Sequence, residues 1–487
     1  MESCTKQSHD PIHIPRSNTF NPQTHHHNSQ TQTHIKLIAL LLSSSLLSYL
    51  ILQNSNPITH ILPVLILLVL LANHLARKPQ VYLVDFSCYK PPSECKVPFT
   101  TFVEHASLFG SFSKESVEFM AKVLENSGQG QETYLPLALH CLPPRPYHKE
   151  SIDEVHMVLF PVMEDLLRKT GLSSRDIDVV IVNCSGLCPA PSLASIVVNR
   201  FKMREDVKSY NLSGMGCSAS MLAIDMAQHL LRVQNNCNAV VLSTEILTTG
   251  WYPGNEQSKL PLNCVFRMGS AAILLSNHES KIAKYRLVES IRTQRAFTDR
   301  GYHSAWRDED EDGVTGVTLS RDILPEANAT LRMCITTLGL STLPTIEKLR
   351  FVLSIIWKQL INKSIDTYTP NFKTVIDHFC LPISGVTVIK EIGKRLKLNE
   401  RDMEPVMSTL HRFGNQSSSS LWYELAYIEA KEMVKKGDKV WQMGMGSGPK
   451  CASAVWECVR PIVGEAQVGP WSESIVKYPS SILNGNK

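Results

Sequence analysis

Two stretches of the chain, 201 residues apart, contain the same series of elements. Each has a turn of small residues, then a helix of similar length and a buried strand, with the turns at residues 214–220 and 413–420. Cys217 of the first turn corresponds to Ser418 of the second. A repeat at a fixed offset is typical of a duplicated fold. The pattern alone leaves two interpretations open, a duplication and a chance likeness between two βα units.

Helical and strand patterns alternate around these turns. We expect helices at residues 152–169, 221–233 and 421–435, and strands at residues 179–182, 239–243 and 440–442. This alternation indicates an α/β layered fold. Apolar residues make up 43% of the chain, which is enough for a large core. The net charge of +4 argues against a nucleic-acid-binding protein that relies on a basic surface.

The N-terminal region differs from the rest of the chain. Residues 1–34 are polar and rich in histidine, and we interpret them as a disordered arm. Apolar runs follow at residues 37–52 and 58–76, with basic residues at both outer ends and an uncharged connector between them. The positive-inside rule then predicts a transmembrane hairpin over residues 35–78, with both ends in the cytosol. The alternative interpretation is a buried pair of helices.

The chain has thirteen cysteines, an odd number, and no pair of CxxC motifs with zinc spacing. We therefore expect reduced thiols on the cytosolic side of a membrane, and neither a metal nor a cofactor. Asn183, Asn211 and Asn415 each match the N-x-S/T glycosylation pattern but lie in core-like segments. Glycans at these positions would block folding, so the body of the chain should not face the lumen.

The turn around Cys217 is the most specific chemical signal. Gly214 and Gly216 allow a sharp backbone turn into the next helix. A cysteine at a helix N-terminus is favoured as a thiolate, the form that acts as a nucleophile. The alternative is a buried structural cysteine. In the second turn, Asn415 can donate to a developing oxyanion or can cap the following helix.

Together these segments resemble the plant 3-ketoacyl-CoA synthases, the condensing enzymes of microsomal fatty acid elongation. The resemblance runs from the predicted hairpin to about residue 465. The matching segments are residues 211–219, 243–245, 263–269, 335–339, 411–415, 417–425 and 446–448.

The resemblance implies a thiolase-like (chalcone synthase-like) fold, a duplicated βαβαβ layered architecture. Residues 79–290 would form the half with Cys217, residues 291–465 the half with Asn415, and residues 466–487 a tail. The substrates would be a long-chain acyl-CoA and malonyl-CoA. Cys217 would carry the acyl group, and Asn415 would stabilise the malonyl enolate. The family also implies an endoplasmic-reticulum membrane anchor, and a homodimer or a heterodimer with other 3-ketoacyl-CoA synthases and elongase subunits.

The sequence departs from the family at the second group that stabilises the enolate, a histidine. The family pattern H-F-C-I-H-A-G-G-R aligns without a gap, and Pro382 occupies the position of the catalytic histidine. Gln294 and Lys390 replace a further histidine and an aspartate of nearby motifs. His378 and His411 match family histidines, and we take both as candidate catalytic residues.

These departures leave two main functional hypotheses. The first is an active 3-ketoacyl-CoA synthase that uses Cys217 and Asn415. The second is a catalytically impaired subunit that binds and tunes active elongase components, because proline has no side-chain donor and no backbone N–H. A hydrolase that uses Cys217 is a weaker third, since no His–Asp partner is evident from the spacing.

One apolar segment, residues 346–361, carries few charges. It predicts either a buried core helix or a helix that dips into a bilayer surface and guides an acyl chain to the site.

Overall fold

The computed structural model describes residues 79–278, 282–360 and 368–479. The chain divides into two compact units, Met1–Lys78 and Pro79–Lys487. The predicted polar arm and transmembrane hairpin fall in the first unit, outside the described residues. Among the helices that are described, none is long and apolar enough to cross a membrane.

The core of the second unit is a mixed sheet. The strands are β1 Tyr82–Cys88, β2 Val179–Asn183, β3 Lys208–Leu212, β4 Asn238–Thr244, β5 Ser270–Ser276, β6 Tyr285–Gln294, β7 Ala305–Glu309, β8 Thr315–Leu319, β9 His378–Cys380, β10 Lys439–Gly446 and β11 Lys450–Cys458. Within the described ranges, nine of them form one sheet in the order β3-β2-β4-β5-β1-β6-β11-β10-β9, and β7 pairs with β8 as a separate hairpin.

Helices pack against this sheet. They are α1 Phe99–Leu108, α2 Lys114–Ser127, α3 His148–Thr170, α4 Leu193–Arg200, α5 Ala219–Val233, α6 Pro261–Val265, α7 Asp299–Tyr302, α8 Ile323–Thr342, α9 Thr345–Leu360, α10 Val386–Leu396, α11 Glu400–Phe413 and α12 Ser420–Ala430. Helix α5 packs on β2, β4, β10 and β11, so it lies against strands from both parts of the repeat.

The structure confirms the duplication. The second 3-10 turn, helix and strand each begin 201 residues after the first; the pairs begin at Gly216 and Ser417, Ala219 and Ser420, and Asn238 and Lys439. In the first half β2 runs parallel to β4, and in the second β9 runs parallel to β10. The two helices also contact each other, since Trp422 Nε1 donates to Ser220 Oγ at 2.7 Å.

The predicted boundary between the halves, at residues 290 and 291, falls inside β6, which pairs with β11 along its whole length and with β1 at its first residues. A hydrogen-bonded strand cannot be divided between two independent domains. Residues 79–487 therefore form one compact unit.

Most predicted elements have the expected bounds, and one is shorter. The helix expected over 152–169 is α3, and Gly171 ends it in the left-handed region at φ 68°. The helix expected over 421–435 ends at Ala430. Glu432 then takes a positive φ of 51°, which an α-helix does not allow.

The C-terminal residues up to 479 are packed against the body and are not a free tail. Trp471 is fully buried, and its Nε1 donates to Tyr423 O at 2.9 Å. Its ring contacts Phe413, Tyr427 and Tyr478 at centroid distances of 4.9, 4.8 and 5.4 Å. The segment therefore stabilises α11 and α12, the helices that flank Asn415.

Helix α9 contains most of the apolar segment predicted over residues 346–361. The interpretation of this segment as a buried core helix is wrong. Ile346, Leu349, Leu353 and Trp357 are each more than half exposed. Of the residues described in α9, only Glu347 is buried. One side of α9 is therefore an exposed apolar face.

Candidate active site

Cys217 lies in a tight turn between β3 and α5. Gly214 and Gly216 have φ of 67° and 58°, a region that glycine adopts without strain. The turn Gly216–Ser218 is a short 3-10 helix, and α5 begins two residues after the cysteine. Gly216 N–H donates to Ser185 Oγ at 2.9 Å, which fixes the turn against the loop after β2.

The thiol of Cys217 is held in its protonated form, contrary to the expectation of a stabilised thiolate. Burial raises the pKa of Cys217 to about 11, a hydrogen bond from Ser417 lowers it, and the nearby Glu245 carboxylate raises it further. Helix α5 itself begins at Ala219, two residues after the cysteine. A base is therefore needed to make this cysteine a nucleophile.

The second half of the repeat closes one side of the turn. A Cβ atom on Gly446 would lie 2.2 Å from Met215 O, and one on Gly444 would lie 3.0 Å from Cys217 O. The end of β10 therefore packs directly on the cysteine turn, and at position 446 only glycine fits. Gly444 and Gly446 therefore serve this close packing.

Asn415 is fixed by contacts to both its backbone and its side chain. Arg267 N–H donates to Asn415 O at 2.8 Å. The side-chain Nδ2 donates to Ile383 O at 3.0 Å, and Oδ1 accepts from Ser417 N–H at 2.8 Å. These two side-chain bonds set the orientation of the amide. A primary amide has two N–H groups, so one can still donate to a substrate oxygen.

Ser417 connects Asn415 to Cys217. Its Oγ lies 3.4 Å from Cys217 Sγ and 3.2 Å from Glu245 Oε2. Ser417 is buried and has φ of 56°, a conformation that is uncommon for a residue with a side chain. The hydrogen bond to Asn415 holds it there. Strained backbone of this kind is concentrated at functional sites.

Glu245 follows β4 and completes the cluster. Its Oε1 accepts from Gly186 N–H at 2.7 Å and lies 3.7 Å from Cys184 Sγ. Oε2 accepts from Ser185 N–H at 3.4 Å and faces Ser417. Burial raises the pKa of Glu245, while these hydrogen bonds lower it. A carboxyl group with a raised pKa can take up a proton nearer to neutral pH than an ordinary glutamate.

A buried cation lies beside the Asn415 turn. The Arg267 side chain is fully buried, and a Cβ atom on Gly414 would lie 2.5 Å from its Cγ. Its Nε donates to Thr133 Oγ1 at 2.9 Å. Burial lowers the pKa of Arg267 to about 10, so it remains charged at neutral pH.

Pro382 is buried in the loop between β9 and α10, next to Asn415. The residues on either side of it are both anchored. Leu381 N–H donates to Glu424 Oε2 at 2.8 Å, and Ile383 O accepts from Asn415 Nδ2 at 3.0 Å. The backbone at position 382 is therefore held beside the Asn415 side-chain amide. Proline offers no hydrogen-bond donor at this position.

The structure places His378 away from Cys217. His378 Nε2 lies 3.1 Å from Asp438 Oδ2, and His378 pairs with Val440 near the start of β10. Gly444, near the other end of that strand, is the residue that packs on Cys217 O. Four strand residues span about 13 Å, so His378 cannot reach the thiol without a rearranged backbone.

His411 and the two other substituted positions also lie apart from the cluster. His411 Nδ1 lies 2.8 Å from Tyr478 OH, and its ring packs on that tyrosine at a centroid distance of 5.7 Å. Burial, and then the Arg412 charge, lower the pKa of His411. Gln294 ends β6 with its side chain exposed, and Lys390 is exposed on α10. Of the predicted catalytic residues, the structure thus brings together Cys217 and Asn415.

Comparison with known proteins agrees with this arrangement. Residues 73–360 match the family model of FAE1/type III polyketide synthase-like proteins. Residues 373–458 match the C-terminal model of 3-oxoacyl-[acyl-carrier-protein] synthase III. The chain is 48% identical over 417 residues to 3-ketoacyl-CoA synthase 5 of Arabidopsis thaliana, covering 85% of each chain. The chain belongs to the 3-ketoacyl-CoA synthase family.

A second relative and the solved structures support the same placement. 3-Ketoacyl-CoA synthase 6 of Arabidopsis thaliana is 48% identical over 405 residues, 82% of this chain and 81% of the relative. A fungal type III polyketide synthase superposes with a TM-score of 0.60 at 14% identity, over 78% of this chain and 99% of its own. 1,3,6,8-Tetrahydroxynaphthalene synthase of Streptomyces coelicolor A3(2) superposes with a TM-score of 0.58 at 16% identity, again over 78% of this chain and 99% of its own. These likenesses show that the chain has a thiolase-like fold.

Two members of the cluster, Ser417 and Glu245, had no assigned chemistry in the sequence analysis. Both lie in segments that match the family, but the two residues are 172 positions apart. No local spacing links them. The duplication is the one sequence feature that points to Ser417. The turn at residues 417–419 is the equivalent of the cysteine turn at residues 216–218, and the two turns contact each other.

Proposed function

We propose that this chain is an active condensing enzyme, in which Cys217 carries a long-chain acyl group and Asn415 supports the decarboxylation of malonyl-CoA. The observation that carries the proposal is the Ser417 bridge. Ser417 Oγ lies 3.4 Å from Cys217 Sγ, and Ser417 N–H donates to the Asn415 amide at 2.8 Å. The nucleophile and the oxyanion donor are thus connected through one residue.

The chemistry proceeds in two steps. Cys217 Sγ first attacks the thioester carbonyl of acyl-CoA, the acyl group is transferred to sulfur, and CoA leaves as its thiol. Malonyl-CoA then loses carbon dioxide, and the resulting carbanion attacks the acyl carbonyl on Cys217. The C–S bond breaks, and a 3-ketoacyl-CoA two carbons longer is released.

Asn415 acts in the second step. Decarboxylation puts negative charge on the thioester oxygen of malonyl-CoA. The free N–H of the fixed Asn415 amide can donate to that oxygen. Preorganised donors of this kind contribute about 10²–10³ in rate each. Pro382 supplies no second donor, so we expect decarboxylation to be the slow step.

The alternative is a regulatory subunit that binds elongase components without turnover. The observation that favours it is the buried Pro382 beside Asn415. Under this alternative the cluster would bind acyl-CoA or a partner, and Cys217 would not need to react.

Condensation by microsomes from a yeast host that expresses the full chain separates the two functions. Long-chain acyl-CoA and labelled malonyl-CoA are supplied to microsomes with wild type, with Cys217→Ala and with empty vector. We expect 3-ketoacyl product from wild type at a level that Cys217→Ala reduces to the vector background. Equal product from wild type and Cys217→Ala would contradict the proposal and favour the regulatory subunit.

We also propose that the chain is anchored in the endoplasmic reticulum membrane by the hairpin of residues 35–78, with its body in the cytosol. The sequence supports the anchor, and α9 supports contact of the body with lipid. Leu349, Leu353 and Trp357 form part of an exposed apolar face, and Lys348 and Lys358 lie in the same helix. An amphipathic helix with these residue types is typical of binding at a lipid surface.

Quenching of Trp357 tests the lipid contact in the full chain. We expect vesicles with brominated acyl chains to quench a fluorescence component that is missing in Trp357→Phe. Trp441 is buried, so Trp441→Phe is the matched control and should leave this component in place. Identical quenching in wild type and Trp357→Phe would show that α9 does not enter the lipid.

We further propose a homodimer, or a heterodimer with other 3-ketoacyl-CoA synthases and elongase subunits. The edge strand β3 supports this, because an edge leaves a row of backbone groups unpaired. Light scattering of the detergent-solubilised full chain should give the mass of a dimer. A monomer mass would contradict the homodimer.

A further inference from the structure

We propose that Ser417 and Glu245 form the proton relay that activates Cys217. The inference rests on the proposed function, because it assigns a base to the same nucleophile. Ser417 contacts the reacting sulfur and is the catalytic member. Glu245 acts through Ser417 and is a positioning residue.

The geometry of Ser417 defines the path of the proton. Its Oγ is within hydrogen-bond reach of both Cys217 Sγ and Glu245 Oε2, at 3.4 and 3.2 Å. A hydroxyl has one proton to donate and two lone pairs that accept. When Ser417 donates to the Glu245 carboxylate, it accepts from the Cys217 thiol. When Cys217 is a thiolate, Ser417 donates to the sulfur instead.

The transfer between these two arrangements balances. The proton of Cys217 passes to Ser417 Oγ, and the Ser417 proton passes to Glu245 Oε2, so the thiolate forms as the carboxylate becomes neutral. The thiolate then attacks the acyl-CoA carbonyl. The departing CoA thiolate takes a proton back along the same path, and Glu245 becomes a carboxylate again.

The backbone around the relay holds both residues in place. Ser417 keeps its positive φ through the hydrogen bond to Asn415 Oδ1. Two backbone N–H groups, of Ser185 and Gly186, donate to the Glu245 carboxylate and fix its position. Ser185 also accepts from Gly216 N–H, so the loop that positions Glu245 is the loop that positions the cysteine turn.

The other ionisable groups near the relay do not contact the sulfur. Cys184 Sγ lies 3.7 Å from Glu245 Oε1, on the side away from Ser417. The Glu154 carboxylate accepts hydrogen bonds from the N–H groups of Leu247 and Thr248, which follow Glu245 in the chain. Arg307 donates to Gly186 O at 3.1 Å. Among these groups, Glu245 is the base with a bridge to Cys217.

The pH dependence of Cys217 alkylation tests the relay directly. The rate of modification by iodoacetamide is followed at Cys217 by peptide mass spectrometry of the full chain between pH 7 and 9.5. With the relay, the wild-type rate should change less than about threefold across this range, because Glu245 accepts the proton. In Glu245→Gln, hydroxide must remove the proton, so the rate should rise about tenfold per pH unit. At pH 7 the variant should react about 10²-fold more slowly than wild type.

Two further variants separate the relay from a structural role. Ser417→Gly removes the hydroxyl and suits the positive φ, so it should fold and should give the steep profile of Glu245→Gln. Ser418→Ala is the matched control, because Ser418 is equally buried but donates to Asn183 Oδ1 instead. It should keep the shallow profile of wild type. Glu154→Gln removes a buried carboxylate that does not touch Ser417, so this variant should also keep the shallow profile of wild type.

The alkylation profile does not require condensation, so its outcome is separate from that of the proposed function. A steep, unit-slope profile already in wild type, or a shallow one in both Glu245→Gln and Ser417→Gly, would overturn the relay. A shallow wild-type profile that becomes steep in both variants would support the relay even if no 3-ketoacyl product formed.

Discussion

Restoring a histidine with Pro382→His should accelerate decarboxylation without a comparable effect on acyl transfer. Position 382 lies between two anchored residues, Leu381 on Glu424 and Ile383 on Asn415. An imidazole there would add a second donor beside the Asn415 amide. One such donor is worth about 10²–10³ in rate, or about 3–4 kcal/mol. The thiol proton has its own path through Ser417, so acyl transfer should change less than about threefold.

The site is buried, so the substitution also has a structural cost. A larger side chain in a packed position destabilises by about 1–3 kcal/mol. Pro382→Leu is the matched control, because it removes the proline and adds bulk but no donor. Both variants should therefore lose similar stability, and only Pro382→His should gain activity.

The assay measures the two steps separately in microsomes. Acyl transfer is followed by mass spectrometry of the Cys217 peptide after addition of acyl-CoA. Decarboxylation is followed by labelled carbon dioxide released from malonyl-CoA. We expect release to rise about 10²-fold in Pro382→His and to stay at the wild-type level in Pro382→Leu. The reasoning is refuted if folded Pro382→His releases carbon dioxide no faster than Pro382→Leu, or if acyl transfer rises by the same factor.

Two further predictions concern stability. Trp471→Ala should lower the free energy of unfolding by about 3–5 kcal/mol, because a fully buried indole is removed; denaturant titration measures it, and the exposed Val476→Ala should change it by less than about 0.5 kcal/mol. Burial raises the pKa of Glu154 to about 7, although hydrogen bonds from Thr248 and Leu247 lower it. Between about pH 4.5 and 7, Glu154 therefore keeps its proton in the folded state but loses it in the unfolded chain. Its contribution to the free energy of unfolding is fully present below about pH 4.5 and is lost as the pH rises to 7. Glu154→Gln should make the fall in stability between pH 5 and 7 shallower by up to about 1.4 kcal/mol per pH unit, and an unchanged slope would show that Glu154 is not its source.

The sequence carried the architecture because the duplication is visible along the chain. Gly216 and Ser417 begin equivalent turns at the predicted offset, and the strands and helices that follow are where the alternating pattern put them. The boundary at 290 was not predictable in the same way. The pairing of β6 with β11 joins residues more than 150 positions apart, and no local pattern reports such a contact.

The site was only partly predictable. Cys217 and Asn415 lie in short motifs whose chemistry can be stated from the residue types. From the sequence we expect a stabilised thiolate at Cys217, whereas burial in the folded unit raises the pKa of this thiol. His378 and His411 match family motifs, yet Asp438 and Tyr478 are their hydrogen-bond partners in the structure. Packing of the whole unit decides these contacts.

A single-turnover chase tests most directly whether this chain condenses acyl groups on Cys217. The full chain in microsomes is first loaded with a long-chain acyl-CoA, the excess is removed, and labelled malonyl-CoA is added. We predict an acyl adduct on the Cys217 peptide that disappears as a labelled 3-ketoacyl-CoA two carbons longer appears. An adduct that persists after malonyl-CoA, or product that appears with no adduct at Cys217, would contradict the account.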